Sequence, residues 1–320
     1  MAGHGCAAAF WAGRRVWITG ASSGIGEGTL PAHRRKRTAE RSYGLRPPTS
    51  TRIAPVLAAL AYELYQQGAQ LVLSARRREE LERVRDSCTA LPVQPGARRP
   101  PPPAVLALDL EDTASLRHKA EDAARLLGGH VQVLVNNGGI GVRAGAMETQ
   151  LAVEERVMRI NFTAPCELTR AVLPAMVEAG EGHVVVVSSV QGRVALPDRS
   201  AYSASKHALH GYFNALRCEV APLGVRVVLV LPGYVATSLS LNALRADGSR
   251  YNHMDETTRR GYPPAAVARR AAAGIARGRR EVWIMQTSGR LAIYLQFFAP
   301  ALLEWYLSRH YRTRLPPTAS

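Results

Sequence analysis

A five-residue β-type run, R-V-W-I-T at residues 15–19, leads directly into T-G-A-S-S-G-I-G at residues 19–26. A strand that ends in three closely spaced glycines (Gly20, Gly24, Gly26) and then turns into a helix is compatible with few architectures. The glycines permit a tight turn and close backbone approach to a ligand, and the N–H groups at the helix start attract an anion such as a phosphate. The spacing is G-x-x-x-G-x-G and not G-x-G-x-x-G, so the rest of the chain has to carry the assignment.

The same rhythm recurs. Apolar runs at residues 70–73, 105–108, 131–135, 183–187, 225–231 and 281–285 alternate with helical patterns at 78–88, 113–127, 149–178, around Tyr202 and at 263–276. Strands alternating with helices predict an α/β fold, a doubly wound parallel sheet with helices on both faces. Ligands of such sheets bind beyond the carboxyl ends of the strands. Each strand end here carries polar or small residues: Ser74 to Arg77, Asp109, Asn136 to Gly139, Ser188 and Ser189, and P-G-Y-V-A-T from Pro232 to Thr237. At the end of the second strand an acid would bind the ribose 2′-hydroxyl of NAD, whereas an arginine suits the 2′-phosphate of NADP. Arg76 stands there, so NADP(H) is expected over NAD(H).

The helix after the glycine turn is interrupted. Gly28, Pro31 and a basic, Pro-rich segment follow Glu27, and an apolar helical pattern resumes only at Leu57, Leu60, Ala61 and Leu64. Joining Glu27 to Ala59 would restore one amphipathic helix ending at the cap Gly68. Residues 28–58 therefore read as an insertion: a surface loop, or an error of splicing or of the gene model. A long structureless loop inside a compact unit favours the error.

The 320 residues are divided into a lead (1–13), one domain (14–287) and an apolar C-terminal segment (288–320), with no internal repeat. The net charge of +16 comes largely from arginine runs in the insertion-like segments. Without a helix-turn-helix, zinc or RNP pattern it does not predict nucleic-acid binding. The four cysteines are scattered, which predicts a reducing setting and no metal site; Cys166 and Cys218 are expected in the core.

The stretch S-A-Y-S-A-S-K-H at residues 200–207 carries the chemistry. Only three lysines occur in the chain, and one, Lys206, falls four residues after Tyr202. On a helix the pair shares one face, so the cation is expected to lower the phenol's pKa and fit it for general acid/base work.

Together, T-G-A-S-S-G-I-G, the N-N-G-G turn, Asn161, Ser189 thirteen residues before Tyr202, Y-x-x-x-K and P-G-x-x-x-T resemble the short-chain dehydrogenase/reductase family over residues 14–285. Residues 242–251 and the apolar C-terminus are similar to its dehydrogenase/reductase member 7 and 7B group. The resemblance implies a single Rossmann-type domain, and a group whose better-known members use NADP(H) and associate with membranes. It implies Tyr202 as acid/base, Lys206 as the group that tunes it and holds the nicotinamide ribose, Ser189 on the substrate oxygen, and Asn161 on a relay water. It implies a cofactor site of Gly20, Ser22, Ser23, Gly24, Ile25, Gly26, Arg76, Asp109, Asn137, Tyr202, Lys206, Pro232, Gly233 and Thr237. Asp109 and Asn137 would flank adenine, and Thr237 would sit at the nicotinamide end. Gly138 departs from the family's usual alanine, the insertion at 28–58 falls directly after the expected phosphate turn, and the group's N-terminal anchor is not recognisable.

Residues 291–307 (L-A-I-Y-L-Q-F-F-A-P-A-L-L-E-W-Y-L) are apolar but broken by Gln296, Pro300 and Glu304, and basic residues follow to Arg314. This predicts a helix lying on a membrane surface, with packing against a partner subunit as the alternative. The expected substrate is a lipophilic carbonyl or alcohol such as a steroid, retinoid or acylated ketone. The expected setting is the endoplasmic reticulum membrane, with peroxisome or cytosol as alternatives and a homodimer left open. A catalytically silent scaffold is the competing expectation.

Overall fold

A computed structural model describes residues 9–20, 56–95 and 97–312. Among the described residues, seven parallel strands form one sheet in the order β3-β2-β1-β4-β5-β6-β7. In chain order the strands are β1 (Arg15–Thr19), β2 (Gln70–Ala75), β3 (Ala104–Ala107), β4 (Val133–Asn136), β5 (Gly182–Val187), β6 (Val225–Pro232) and β7 (Glu281–Ile284). Each predicted strand is present, with ends shifted by a few residues.

The alternation of side chains along each strand explains the layering. Val16, Ile18, Val133, Val135, Val185, Val228 and Val230 face one side, packed with α1 (Val56–Gln66), α2 (Arg78–Ala90) and α8 (Pro264–Ala276). Trp17, Leu134, Val184, Val186, Leu229 and Leu231 face the other. There they meet α3 (Leu116–Leu126), the segments α4 (Leu151–Met158) and α5 (Ala164–Glu178), and α6 (Ser200–Val220). Burying both faces is what makes the strands near-continuously apolar. The Trp17 indole, fully buried, still satisfies its N–H by donating to Ser74 Oγ at 2.8 Å.

Most of the proposed insertion lies outside the described residues. Helix α1 begins at Val56, so residues 56–58, assigned to the insertion by sequence, are helical. Gly68 takes φ +91° just past this helix, as a C-terminal cap requires. The stretch 149–178 is one helix interrupted by a π-helical turn, Arg159–Thr163, with Asn161 inside it. Cys166 is buried as expected, but Cys218 is exposed, on the outer face of α6. The loop 238–261 is less polar in effect than in composition: Ala243 and Leu244 are buried, and a short helix α7 (Glu256–Arg259) follows.

The C-terminal segment forms two helices, α9 (Thr287–Phe298) and α10 (Pro300–Arg312). Pro300 lacks an N–H and disfavours helical geometry in the residue before it; Ala299 has φ −146° and ψ 61°. Leu303 anchors α10 at 3 % exposure, whereas Phe297 and Phe298 are 80 % and 76 % exposed. No helix among the described residues is long and apolar enough to cross a membrane.

Candidate active site

Because all seven strands are parallel, their carboxyl ends share one edge, and the site is assembled along it. Ser189 follows β5 and begins a 3₁₀ turn, its Oγ accepting from Gln191 N at 3.1 Å. Tyr202 lies in the first turn of α6 and Lys206 one turn later, both buried. Lys206 Nζ donates to Val187 O at 3.1 Å and lies 5.8 Å from the Tyr202 ring centre. Ser189 hydrogen-bonds the Tyr202 hydroxyl. The hydroxyl, phenol and amine thus converge on one cleft of about 150 Å³ at the ends of β4, β5 and β6.

The electrostatics differ from the sequence expectation. Burial pushes the Tyr202 phenol above its ordinary value, outweighing the Ser189 hydrogen bond and the charges of Arg143 and Arg199, which pull it down. Burial also pushes the Lys206 amine down to about 8. The i,i+4 spacing does place the amine by the ring, but desolvation of the phenol is the larger effect.

Asn161 is fully buried. Its Oδ1 accepts from Ile140 N at 2.8 Å, and its Nδ2 donates to Ile140 O at 2.9 Å and to Ser205 Oγ at 3.0 Å. Both amide hydrogens are therefore committed to protein, and only a lone pair on Oδ1 is left for a water. The π-turn turns this side chain onto the loop after β4, beside Gly139: a Cβ there would lie 3.2 Å from Asn161 Oδ1 and 3.5 Å from Lys206 Nζ.

Gly20 is the described part of the phosphate turn; Ser22, Ser23, Gly24, Ile25 and Gly26 lie outside the described residues. Gly20 has φ +68°, and a Cβ on it would come within 2.0 Å of Gly138 Cα. The two backbones touch and neither residue adds a side chain there, as close approach of a pyrophosphate demands. A Cβ at Gly138 would meet Leu110 Cδ1 at 2.3 Å and Gly20 Cα at 3.0 Å, so glycine at this position is matched to Leu110.

A second hollow, of about 40 Å³, is lined by Arg76, Asp109 and Gly138, and shares Gly20 and Gly139 with the main cleft. Arg76 is exposed at its rim and makes no ion pair among the described residues. Asp109 accepts from Glu111 N at 3.0 Å. Asn137, expected to flank adenine with Asp109, lines the main cleft and donates from Nδ2 at 2.7 Å to the carbonyl oxygen of Gly20, a residue that lines both hollows. Pro232, Gly233 and Thr237 line the main cleft opposite Gly20, and Thr237 Oγ1 accepts from Leu239 N at 3.4 Å. A bare-backbone floor, an arginine rim at one end and a buried amine and phenol at the other fit a dinucleotide laid along the strand ends.

The sequence did not reveal one group. Arg143, Arg199 and Asp255 come from three separate loops and meet, each with its side chain about 13 % exposed or less, and Arg143 lines the same cleft as Tyr202. No local motif marks them.

Comparison with known proteins places this geometry. The family model for short chain dehydrogenases matches residues 58–247, a stretch that begins within α1. The chain is 39 % identical, over 299 residues, to a Dehydrogenase/reductase SDR family protein 7-like of Drosophila melanogaster, covering 93 % of this chain and 80 % of the relative. It is 42 % identical over 235 residues to Dehydrogenase/reductase SDR family member 7B of Bos taurus, covering 73 % and 71 %. A metagenomic short-chain oxidoreductase in complex with NADP has a TM-score of 0.60 at 27 % identity, over 87 % of this chain and 99 % of that one. With the strand order, the glycine floor and the Ser189, Tyr202 and Lys206 cleft already in place, these matches assign the chain to the short-chain dehydrogenase/reductase family of oxidoreductases.

Proposed function

We propose that the protein is an NADP(H)-dependent oxidoreductase interconverting a lipophilic carbonyl compound and its alcohol, of the steroid, retinoid or acylated-ketone kind, with Tyr202 as acid/base. The observation that carries this reading is the convergence of Ser189, Tyr202 and Lys206 on one cleft that shares its floor with the dinucleotide hollow. When bound, the nicotinamide cofactor supplies or accepts the hydride. Tyr202 gives its proton to the carbonyl oxygen during reduction and takes it back during oxidation. Ser189, which otherwise donates to the phenol, turns its one hydroxyl hydrogen to the same oxygen when substrate is present. Lys206 keeps N–H donors beyond the one given to Val187, enough to hold ribose hydroxyls and pass a proton toward Tyr202. Asn161 fixes the loop that carries Gly139 against Lys206. Val187, Val190, Val235 and Leu239 line the cleft and favour an apolar substrate.

Arg76 supports the NADP(H) preference, since a guanidinium at the rim matches a 2′-phosphate. Fluorescence titration of the full chain should show saturable NADPH binding with NADH much weaker. Arg76→Ala should weaken NADPH binding about tenfold or more and leave NADH unchanged, as expected for one charge-assisted contact. One observation favours the second reading, a catalytically silent scaffold: the family match begins only at residue 58, past the segment separating the glycine turn from its helix. No NADPH binding at all would select that reading.

The exposed apolar residues of α9 and α10 support peripheral contact with a membrane. Leu291, Tyr294, Phe297, Phe298, Leu302, Trp305 and Tyr306 are all exposed, and Arg309 lies over the Trp305 ring at 5.9 Å. Sedimentation with phosphatidylserine-containing vesicles should show binding. Replacing Phe297 and Phe298 by Ser should weaken it at least about tenfold, since each buried phenyl contributes about 1.5–3 kcal/mol. Equal partitioning of both proteins would count against it.

A further inference from the structure

Arg143 reaches the cleft from the loop after β4, and Arg199 immediately precedes α6, three residues before Tyr202. Both guanidiniums converge on one carboxylate oxygen. Arg143 Nη2 and Nε lie 2.6 and 2.7 Å from Asp255 Oδ2, and Arg199 Nη2 lies 3.3 Å from it. Arg143 also donates from Nη1 to Val142 O at 2.9 Å, which fixes the fork. Asp255 is itself held from a third loop, its N–H donating to Ser240 Oγ at 3.3 Å. Two cations thus share one anion in a largely buried place, and Arg199 Nε has no partner among the described residues.

We propose that this cluster, with its one uncompensated positive charge, favours the ionised form of Tyr202, which makes Arg143 a positioning residue for proton transfer. The proposal rests on the reading of Tyr202 as the acid/base. The groups facing Tyr202 are Ser189 from the end of β5, Lys206 on its own helix, and Arg143 and Arg199 with Asp255 behind them; Tyr234, after β6, lies next to Arg199. Of the cations among these, only the arginines keep their charge at every working pH, because guanidinium does not release its proton in proteins. Burial brings Lys206 down to about 8, so its charge fades above that pH. Arg143 and Arg199 are also the charges that pull the buried phenol back down against its desolvation. The arrangement gives the sheet-end loops a part in proton transfer: Asp255 costs some of the positive field and in return locks the arginine that supplies it.

The test is a ¹³C NMR titration of the full chain labelled at the tyrosine ζ carbon, with the Tyr202 signal assigned by its loss in Tyr202→Phe. Arg143→Gln should raise the Tyr202 midpoint by at least about one pH unit, the usual size for removal of a close opposite charge. Arg143→Lys should recover most of the difference. Asp255→Asn should move the midpoint downward, because it removes the only anion of the cluster. Opposite shifts from the two halves of one ion pair are the signature of charge; a structural role would move both variants the same way. Coincident midpoints for the wild type and Arg143→Gln, or shifts of one sign in both variants, would overturn the proposal. Since no substrate or cofactor enters the measurement, this result is independent of whether Tyr202→Phe abolishes turnover.

Discussion

Tyr202→Phe is expected to reduce turnover of a lipophilic ketone by about 10³-fold, within the range of about 10²–10⁴ that general acid/base groups contribute. The substitution removes one oxygen and keeps the ring. The buried ring can still pack beside Lys206, and Lys206 can still donate to Val187 O. NADPH affinity and thermal stability should therefore stay close to those of the wild type. Only the proton bound for the carbonyl oxygen, and the acceptor for the Ser189 hydrogen bond, are lost. The measurement is steady-state NADPH consumption, paired with fluorescence titration of the same preparation. Turnover within a few-fold of wild type would remove Tyr202 from the mechanism. Loss of both turnover and cofactor binding would mean that the phenol has a structural part in the cofactor site instead.

Gly20→Val should do the opposite, acting on the fold and the cofactor site together. Gly20 sits at φ +68°, where a β-branched residue is strained, and any Cβ would meet Gly138 Cα at 2.0 Å. The obstacle is backbone, so no rotamer change relieves it; β1 and β4, which pair directly, would have to move apart at their carboxyl ends. A backbone penalty of about 1–2 kcal/mol plus about 1–3 kcal/mol of overpacking gives an expected destabilisation of about 2–5 kcal/mol. NADPH binding should be lost because the floor is no longer bare. Urea denaturation checks the first effect and titration the second. A stable variant that still bound NADPH would show that the ends of β1 and β4 do not form the cofactor floor.

The two substitutions separate what the strand ends do from what the helix presents, and the same separation governs what could be read in advance. Apolar alternation marked the strands because each must bury both faces, and their parallel direction followed from the intervening helices. The glycine turn, Tyr202, Lys206, Ser189 and Asn161 stood out because their spacing is local: a helical turn, a strand end, a turn between elements. Local spacing does not report environment, however. The pKa of Tyr202 therefore shifts upward and not downward as the spacing alone predicts, since desolvation of the phenol depends on everything packed around it. Cys218 was misplaced similarly, because an apolar-looking helical position says nothing about which face the sheet covers.

The chain's own order of residues was thus enough to determine the layered α/β architecture and the sheet edge along which Ser189, Tyr202 and Lys206 gather. The meeting of Arg143, Arg199 and Asp255 was decided only by the tertiary structure, which brings together loops 56 and 112 residues apart in the chain. Spacing along the chain records what a helix or a strand repeats every few residues. Charges that interact across loops leave no such period, and their partners are selected by how the sheet edge brings the loops together.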